Sequence, residues 1–361
     1  MSNHKYMDIV EDIKAKIGSG ELKPKDKIHS ENELSEEYGL SRQTVRHSIA
    51  VLEEEGLVRK VKGSGTYVTD NAITDRTNRK TVAVITTYVD AYIFPKMIQY
   101  IERVLSDAGY TVQISFTNNR ISKEKTILTG IIEKDEVAGV IAEATKSHLP
   151  NPNLKYYETL KAMHIPVVFL NSYYEEIKMP HVSINDVLAG KLATEYLIKM
   201  GHTKIGGVFK LDDGQGVKRY YGMLQAMEEA GVPITGNDVI WFDTIDMKTR
   251  ENVEDVFVRI RKRLSSRTAL LIYNDETAIK LIELCHKSGI RIPEDLSIVG
   301  IDDSVISTDE KSKLTSVIFP IKEVAQKAAN NMLELINNPK FNATYEFDLE
   351  MVERDSVKRM I

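Results

Sequence analysis

The feature that most constrains this 361-residue chain is a segment near its start, residues 30–68, with the sequence SENELSEEYGLSRQTVRHSIAVLEEEGLVRKVKGSGTYV. Its pattern predicts a helix, a tight turn, a second helix and a two-stranded wing. Glu31–Tyr38 has a short helical pattern that Gly39 ends, and Ser41 suits the N-cap of the next helix because its hydroxyl can accept an orphan backbone N–H. Beyond Ser41, apolar residues recur at the spacing of one helix face: Val45, Ile49 and Leu52.

The opposite face of the second helix presents polar and basic side chains that can reach base edges and phosphates: Arg42, Gln43, Thr44, Arg46 and His47. A second helix that presents such residues from its first turns is how helix-turn-helix proteins enter the major groove. The predicted strands, Leu57–Val61 and Thr66–Thr69, flank the turn Lys62-Gly63-Ser64-Gly65. That turn is small enough to press against a DNA backbone or to lie in a minor groove.

Basic residues are concentrated in two short segments of a domain that is slightly acidic as a whole. Residues 1–70 contain 11 Lys and Arg against 13 Asp and Glu, a balance of 11 − 13 = −2, which argues against loose binding to any polyanion. Gly39–Leu52 and Gly56–Thr69, however, contain basic residues and no acidic ones. The positive charge therefore lies on the second helix and the wing, the two surfaces that would face phosphate.

Residues 4–69 resemble the winged-helix domain of GntR-type transcription regulators through the blocks SENELSEEYGLSRQTVR, LEEEGLVRK and KGSGTYV. The resemblance implies that Arg42 and Arg46 contact bases or phosphates and that Gly63 allows close approach of the wing. Many members have an arginine where this chain has Asn32, which can still bond a phosphate or a base. We therefore expect the DNA-binding residues to be Asn32, Ser41, Arg42, Gln43, Thr44, Arg46, Lys62, Gly63 and Ser64.

Length and composition limit the possible architectures of the whole chain. Its 361 residues predict two to three domains of a soluble globular protein. No run approaches a membrane span, and the first residues lack the apolar core of a signal peptide, so we expect a cytoplasmic protein with no membrane partner. Cys285 is the only cysteine, which excludes an intrachain disulfide and a cysteine metal cluster.

A polar stretch separates two regions of different pattern, so we assign residues 1–70 to a winged helix-turn-helix domain, 71–80 to a linker and 81–361 to a ligand and dimerisation domain. After the linker, β-branched strands alternate with helices, the signature of a parallel sheet. The strands are expected at Thr81–Thr87, Thr111–Phe116, Ala138–Ala142, Pro166–Leu170, Lys204–Phe209, Val239–Phe242, Ala269–Tyr273 and Ser297–Ile301. A last long helix at Pro320–Asn337 is expected to cross back.

Two successive α/β halves without a Walker A or G-x-G-x-x-G motif predict two Rossmann-like lobes, with ligands bound at the carboxyl ends of their strands. Residues 81–361 resemble the effector domain of LacI/GalR-type repressors, itself similar to periplasmic sugar-binding proteins. The blocks that carry this resemblance include VSINDVLAGKLATEYLIKMGHTKIG, KRYYGMLQAMEEAGV and IPEDLSIVGIDDS. A GntR-type domain on a LacI-type body, with the segment FKLDDGQGVKRYYGM, resembles the AraR-type L-arabinose-responsive repressors.

The expected effector site lies at strand ends facing a cleft. By the resemblance, Asp302 and Arg219 match ligand-contacting residues, although each also has a structural reading, as a loop cap or a helix-surface residue. Position alone adds Asn274, which suits an N-cap equally well, and Asp275. Residues that follow the first and third strands complete the expected set: Tyr88, Tyr92, Phe94 and Glu143.

We therefore expect a homodimeric repressor of arabinose-utilisation genes that binds a near-palindromic operator and releases it on binding a monosaccharide, with L-arabinose as the first candidate. Alternatives are an activator of the same architecture, or a regulator that responds to another sugar or a sugar phosphate. An enzyme with a regulatory domain and a transport component are further classes. No nucleophile, metal or cofactor motif is present, and the histidines lack metal-ligand spacing, so we expect no catalysis and no cofactor.

Overall fold

The computed structural model describes residues 5–18, 20–61, 63–69, 79–89, 92–308 and 313–360. The chain divides into two compact units, Met1–Lys80 and Thr81–Ile361. Lys62 and most of the predicted linker lie outside the described residues.

The first unit is a small three-helix domain with a β-hairpin. Its elements are α1 (Lys5–Gly18), α2 (Glu31–Tyr38), α3 (Arg42–Glu54), β1 (Val58–Val61) and β2 (Gly65–Val68), the two strands being antiparallel. Ser30 caps α2 in a capping box with Glu33, and Gly39 ends that helix with φ 62°. The predicted apolar stripe of α3 is buried with residues of the other elements, including Ile9, Ile13, Leu34 and Val58. The predicted winged helix-turn-helix fold is confirmed.

The second unit begins with a lobe of alternating strands and helices. Its elements are β3 (Thr81–Thr86), α4 (Phe94–Asp107), β4 (Thr111–Phe116), α5 (Ile121–Lys134), β5 (Gly139–Ala142), α6 (Leu154–Ala162), β6 (Val167–Leu170) and β7 (His181–Ile184). The strands of this lobe are parallel and buried on both faces, except for β4 at the edge of the sheet.

A second lobe of the same kind follows. Its first elements are α7 (Asp186–Lys199), β8 (Ile205–Lys210), α8 (Gly214–Glu229), β9 (Val239–Phe242), α9 (Arg250–Leu264), β10 (Ala269–Ile272), α10 (Asp275–Lys287), β11 (Ser297–Asp302) and β12 (Thr315–Ile318). Then come α11 (Ile321–Asn337), β13 (Tyr345–Phe347) and β14 (Met351–Val352), with short 3-10 turns at Gly236–Asp238 and Val305–Thr308.

The chain passes between the lobes three times. The first sheet has the order β13-β7-β6-β5-β3-β4 and the second the order β14-β12-β11-β10-β8-β9, in which only β14 is antiparallel to its neighbour among the described pairs. Helix α11 packs on α4, β5 and β6, so it returns to the first lobe as predicted. The crossings follow β7, β12 and β13, which lie toward one edge of each sheet.

Several elements are absent from the sequence-based expectation, which assigned nothing between Leu170 and Lys204. Strands β13 and β14 have three and two residues, too short for a periodic signal, and β7 (HVSI) is half polar, unlike the apolar four-residue strands that were predicted. Helix α7 was missed because its buried face consists mostly of small and polar residues, which give a weak apolar signal: Asp186, Ala189, Gly190, Ala193, Thr194, Tyr196 and Leu197. The predicted two-lobed parallel α/β architecture is otherwise confirmed.

Helices α7 and α8 pack backbone against backbone because each has a glycine at the crossing. A Cβ on Gly190 would lie 1.9 Å from the carbonyl oxygen of Arg219, and one on Gly222 would lie 1.9 Å from that of Val187. Only glycine permits this approach. The packing fixes the position of Arg219 at the strand ends.

We predict that Gly222→Ala destabilises the fold by about 1–3 kcal/mol because the added methyl forces α7 and α8 apart. Urea denaturation of the full chain, followed by far-ultraviolet circular dichroism, measures this because both lobes contain helices. The control is Gly130→Ala on α5, where a Cβ meets nothing within 4 Å, so it should gain roughly 0.5–1 kcal/mol. Equal stability of the two variants would contradict the close-packing account.

Candidate functional site

Helix α3, the second helix of the helix-turn-helix, presents the expected polar face to solvent. Arg42, Gln43 and Arg46 are exposed on α3. The Ser41 hydroxyl accepts the Thr44 N–H at 3.2 Å and lies 2.9 Å from the Thr44 hydroxyl, so these two residues cap the helix. That cap positions the first turn of α3, where the exposed side chains begin.

Arg46 is held by a neighbouring helix. Its Nε donates to Glu31 Oε2 at 2.6 Å, a contact between α3 and the start of α2. Asn32, the next residue on α2, is exposed. The Glu31 contact orients the guanidinium, and Asn32 lies beside it in the chain.

The described part of the wing turn contains a glycine in a left-handed backbone conformation. Gly63 is exposed with φ 76°, a left-handed conformation that a side chain disfavours. The Ser64 hydroxyl lies 2.6 Å from the Tyr67 hydroxyl, which braces the turn against β2. Gly63 and Ser64 therefore lie at the tip of the hairpin, where Ser64 is bonded to β2.

The cleft of the second unit is lined by residues that follow the strands, as expected for parallel sheets. Four strands of the first lobe are each followed by a non-glycine residue with positive φ: Tyr92 (58°), Asn119 (51°), Lys146 (48°) and Asn171 (65°). In the second lobe, Asp302 at the end of β11 has φ 119°. Such conformations concentrate at functional sites, where surrounding contacts hold them.

Arg219, Asp302 and Tyr92 come together across the cleft. Arg219, only 1 % exposed on α8, donates from Nε to Asp186 Oδ1 at 2.8 Å and from Nη1 to the Tyr273 carbonyl at 2.5 Å. Its Nη2 lies 3.6 Å from Asp302 Oδ1. The Tyr92 hydroxyl, from the first lobe, donates to Asp302 Oδ2 at 2.5 Å. The structure thus joins three of the predicted effector residues in one cluster.

Asp275 supports this cluster from behind. Its Oδ2 accepts the Ser304 N–H at 2.8 Å, and its Oδ1 accepts the Ser316 hydroxyl at 2.7 Å. Asn274 caps α10, its side chain accepting the Thr277 N–H at 3.0 Å. The oxygens of Asp275 and the cap oxygen of Asn274 are thus occupied in holding the loop that carries Asp302 and the helix that follows β10.

Glu143 ties together the strand ends of the first lobe. Its carboxylate accepts the Thr87 N–H at 2.8 Å, the Thr87 hydroxyl, and the Asn171 Nδ2 at 2.9 Å. Asn171 in turn accepts Gln215 Nε2 from the second lobe at 3.0 Å. Glu143 therefore positions Asn171, which reaches across the cleft.

The aromatic residues after β3 differ in position. Tyr88 is half-buried, and its ring meets that of Phe94 edge-on at 5.8 Å. Phe94 is buried at the start of α4. Tyr92 reaches the second lobe through its bond to Asp302, whereas Phe94 packs against Tyr88 within the first lobe.

Sequence reasoning missed several cleft residues, namely Asp186, Asn171, Gln215, Tyr273, Asn119, Lys146 and Asp212. Asp186 begins a helix that was not predicted, and Asn171 and Lys146 lie in loops without a distinctive motif. Asp212 lies in the short loop between β8 and α8, which has no distinctive motif either. The available signal was position, because each of these residues follows a strand or begins a helix.

Burial governs the ionisation of the cluster. It raises the pKa of Asp302 to about 6, against the opposing effects of the Arg219 guanidinium and the Tyr92 hydroxyl. It raises the pKa of Asp275 to about 8, and the nearby Asp302 charge acts in the same direction. Although burial acts to lower it, the carboxylates of Asp186 and Asp302 raise the pKa of Arg219, which keeps its charge.

The described ranges contain neither a candidate metal site nor a membrane-spanning helix. There, no group of three or more His, Cys, Asp and Glu side chains is arranged to hold a metal ion. In the same part of the chain, no helix combines the length and the apolar character needed to cross a membrane. His202 is buried, with its ring nitrogens 2.9 Å from the Thr268 hydroxyl and 3.2 Å from the Lys358 carbonyl.

Comparison with known families and relatives agrees with this geometry. Residues 5–68 match the bacterial regulatory proteins of the gntR family, and residues 194–357 match the periplasmic binding protein-like domain. The chain is thus a DNA-binding transcription regulator whose second domain has the fold of a ligand-binding protein. It is 39% identical over 342 residues to an arabinose metabolism transcriptional repressor of Halalkalibacterium halodurans, across 93% of this chain and 90% of the relative. A second such repressor, from Geobacillus stearothermophilus, is 36% identical across 99% and 98%.

The chain belongs to the family of the arabinose metabolism transcriptional repressors, a family of sugar-responsive DNA-binding regulators. Solved structures support the fold of the second unit. The regulator CcpA of Lactococcus lactis aligns with TM-score 0.68 at 24% identity, across 78% of this chain and all of that one. A LacI-type regulator from Alkaliphilus metalliredigens, complexed with D-xylulofuranose, aligns with TM-score 0.63 at 21% identity, across 77% and 99%.

We predict that Asp302 makes the fold less stable as pH rises. Its pKa is raised above the ordinary value near 3.9, so the folded state holds the proton more tightly, and stability falls between about pH 4 and pH 6. Asp302→Asn removes this dependence. The free energy of unfolding of Asp302→Asn relative to the parent should therefore increase by about 1–1.5 kcal/mol from pH 5 to pH 8. A difference that is constant with pH in urea titrations would refute the buried, proton-retaining carboxyl.

Proposed function

We propose that this protein represses arabinose-utilisation genes and that free L-arabinose, bound in the cleft, releases it from its operator. The observation that carries the proposal is the buried Arg219–Asp302–Tyr92 cluster at the facing strand ends. The names of the relatives support the choice of sugar. The protein would act by binding alone, without chemical turnover, and in the cytoplasm, where the operator DNA lies.

The chemistry of the cluster suits a sugar. A sugar hydroxyl both donates and accepts, so it requires a donor and an acceptor at neighbouring positions. Arg219 supplies only donors, and ionised Asp302 supplies acceptors 3.6 Å away. We propose that Tyr92, Arg219 and Asp302 contact the sugar, that Tyr88 lines the site, and that the remaining predicted residues hold these in place: Phe94, Glu143, Asn274 and Asp275.

Charge favours a free sugar over a sugar phosphate. Each of three cations near the cleft faces a carboxylate: Arg219 faces Asp186 at 2.8 Å, Lys210 faces Asp213 at 2.6 Å, and Lys146 faces Asp212 at 2.9 Å. A phosphate would have to compete with these carboxylates for the cations. A neutral monosaccharide needs no such exchange.

For the DNA, we propose that α3 enters the major groove and that the wing contacts the backbone. Arg42, Gln43 and Arg46 would read bases or phosphates, and Ser41 and Thr44 would set the helix end. Asn32, Lys62, Gly63 and Ser64 would contact the flanking backbone. Two such domains related by a two-fold axis call for a near-palindromic operator.

We propose that a second copy of the chain packs against helix α9. One exposed face of this helix runs from acidic through apolar to basic: Glu251, Asp255, Val258, Arg261 and Lys262. Val258, at the centre, is 61% exposed. A two-fold axis through Val258 places two copies antiparallel, so each acidic half meets a basic half.

Sugar can release DNA only if it binds the DNA-incompetent arrangement more tightly than the competent one. In a dimer, movement of one lobe against the other would change the contacts between the subunits and therefore the spacing of the two winged domains. The proposal therefore requires that binding at the cleft and binding at the operator oppose each other.

We predict that Arg42→Ala and Arg46→Ala each weaken binding to an operator selected from a random DNA pool by roughly 1–3 kcal/mol, because each removes a contact to a base or phosphate. Mobility-shift titrations measure the effect. Arg291→Ala, which removes an exposed arginine of the second unit, is the matched control. If both α3 variants bind like the control, the assignment of the recognition helix is wrong.

We predict that L-arabinose binds the parent measurably in calorimetry and that Asp302→Ala abolishes this binding while operator binding persists. The change removes the carboxylate oxygens that would accept from the sugar, while Arg219 keeps its bonds to Asp186 and the Tyr273 carbonyl. A hydrogen bond to a charged group contributes about 1.5–3 kcal/mol. Asp302→Asn should lose less because it keeps the shape and one acceptor. The sugars D-xylose, D-galactose and an arabinose phosphate serve as comparisons. Tighter binding of any of these than of L-arabinose would replace it as the effector.

We predict that Asp255→Lys weakens the dimer roughly tenfold or more, since it places like charges opposite each other across the two-fold axis. The double variant Asp255→Lys/Lys262→Asp should restore it because the exchanged charges again match. Sedimentation velocity over a concentration series measures both. A dimer that is unaffected by the single change, or not restored by the double one, would exclude α9 as the interface.

A further inference from the structure

A second set of contacts joins the lobes at the end of the cleft away from the chain crossings. The crossings follow β7, β12 and β13, toward one edge of each sheet. The contacts in question lie beyond β4, β5, β8 and β9, toward the opposite edge. Opening about the crossings would separate the lobes most at this edge.

The contacts form what we call the latch, made of Asn119, Lys146 and Ser147 from the first lobe and Asp212, Gly214 and Thr244 from the second. Lys146 Nζ lies 2.9 Å from Asp212 Oδ2. Asn119 Nδ2 donates to the Thr244 hydroxyl at 2.6 Å and approaches Asp213 Oδ1 at 3.4 Å. The Gly214 N–H donates to the Ser147 hydroxyl at 2.9 Å.

Contacts within the first lobe hold the latch residues of that lobe in position. Asn119 and Lys146 both have left-handed backbones, and the Lys146 N–H donates to Asn119 Oδ1 at 2.8 Å. The preceding Thr145 N–H donates to the Tyr174 hydroxyl at 2.8 Å, and that hydroxyl donates to the buried Glu124 at 2.6 Å. Strained conformations persist when the surrounding contacts determine them, and these contacts fix the loop toward the second lobe.

On the second-lobe side of the latch, the buried carboxylate of Asp212 is partnered by Lys146 of the first lobe only when the lobes are closed. Asp212 is 2% exposed, and its Oδ2 accepts both Lys146 Nζ and the Thr244 N–H. Its Oδ1 lies 3.9 Å from Lys210 and has no hydrogen-bond partner. An ion pair with a buried carboxylate is weakly screened, so its loss matters more than that of a surface pair.

We propose that the latch favours closure of the lobes before sugar binds and thereby sets the sugar concentration at which the protein responds. None of its residues belongs to the proposed sugar-contact set. The apparent dissociation constant of a ligand equals its intrinsic value divided by the fraction of protein in the competent state. The effect on affinity rests on the proposed function, whereas the effect on closure does not.

The test compares the full-length parent with Lys146→Met, Asp212→Asn and the double variant. Without sugar, hydrogen exchange of residues 211–216 reports closure because the Gly214 N–H is bonded across the lobes. With sugar, calorimetry gives the dissociation constant for L-arabinose. The control is Lys191→Met, which breaks a 2.7 Å ion pair with Glu229 inside the second lobe.

We expect each single variant to speed exchange in this segment about three- to tenfold and to weaken arabinose binding by a similar factor, with the control unchanged. The double variant should resemble either single one, since both remove the same pair. Unchanged exchange in both single variants, or additive effects in the double variant, would overturn the latch. If the parent does not bind L-arabinose, the proposed effector fails, and the exchange measurement still decides whether the latch holds the lobes together.

Discussion

The buried guanidinium of Arg219 is the group on which the organisation of the cleft depends. A charge with 1% exposure is tolerated only when neighbouring groups compensate for its lost hydration. Asp186, Asp302 and the Tyr273 carbonyl do this, and they come from α7, β11 and the end of β10. One cation therefore fixes three elements of the second lobe relative to each other, and through the Tyr92–Asp302 bond it connects them to the first lobe.

The close packing of α7 on α8 is the structural requirement behind this arrangement. Gly190 lies against the backbone of Arg219 itself, so the helix that supplies Asp186 is pressed onto the helix that supplies the guanidinium. The Asp302 loop is fixed separately, by Asp275 through Ser304 and Ser316. Burial raises the pKa of Asp302, so keeping this carboxyl ionised in the folded state costs free energy.

Much of this arrangement was predictable from the sequence, and the reasons for the rest are physical. The winged domain was readable because capping residues, a helical stripe and a glycine turn occur in order within 40 residues or so. Asp302 and Arg219 were found through motifs, and their positions at strand ends follow from parallel topology. Asp186 was missed because the buried face of α7 is made mostly of small and polar residues, and the roles of Asp275 and Glu143 required knowledge of which hydrogen bonds occupy their oxygens.

The central claim is that sugar in the cleft and DNA on the winged domain oppose each other. Fluorescence anisotropy of a labelled operator, at fixed protein and increasing L-arabinose, tests this most directly. The account predicts that occupancy falls, with half-release at a concentration that follows the calorimetric dissociation constant. Occupancy that stays constant while calorimetry shows the sugar fully bound would contradict it.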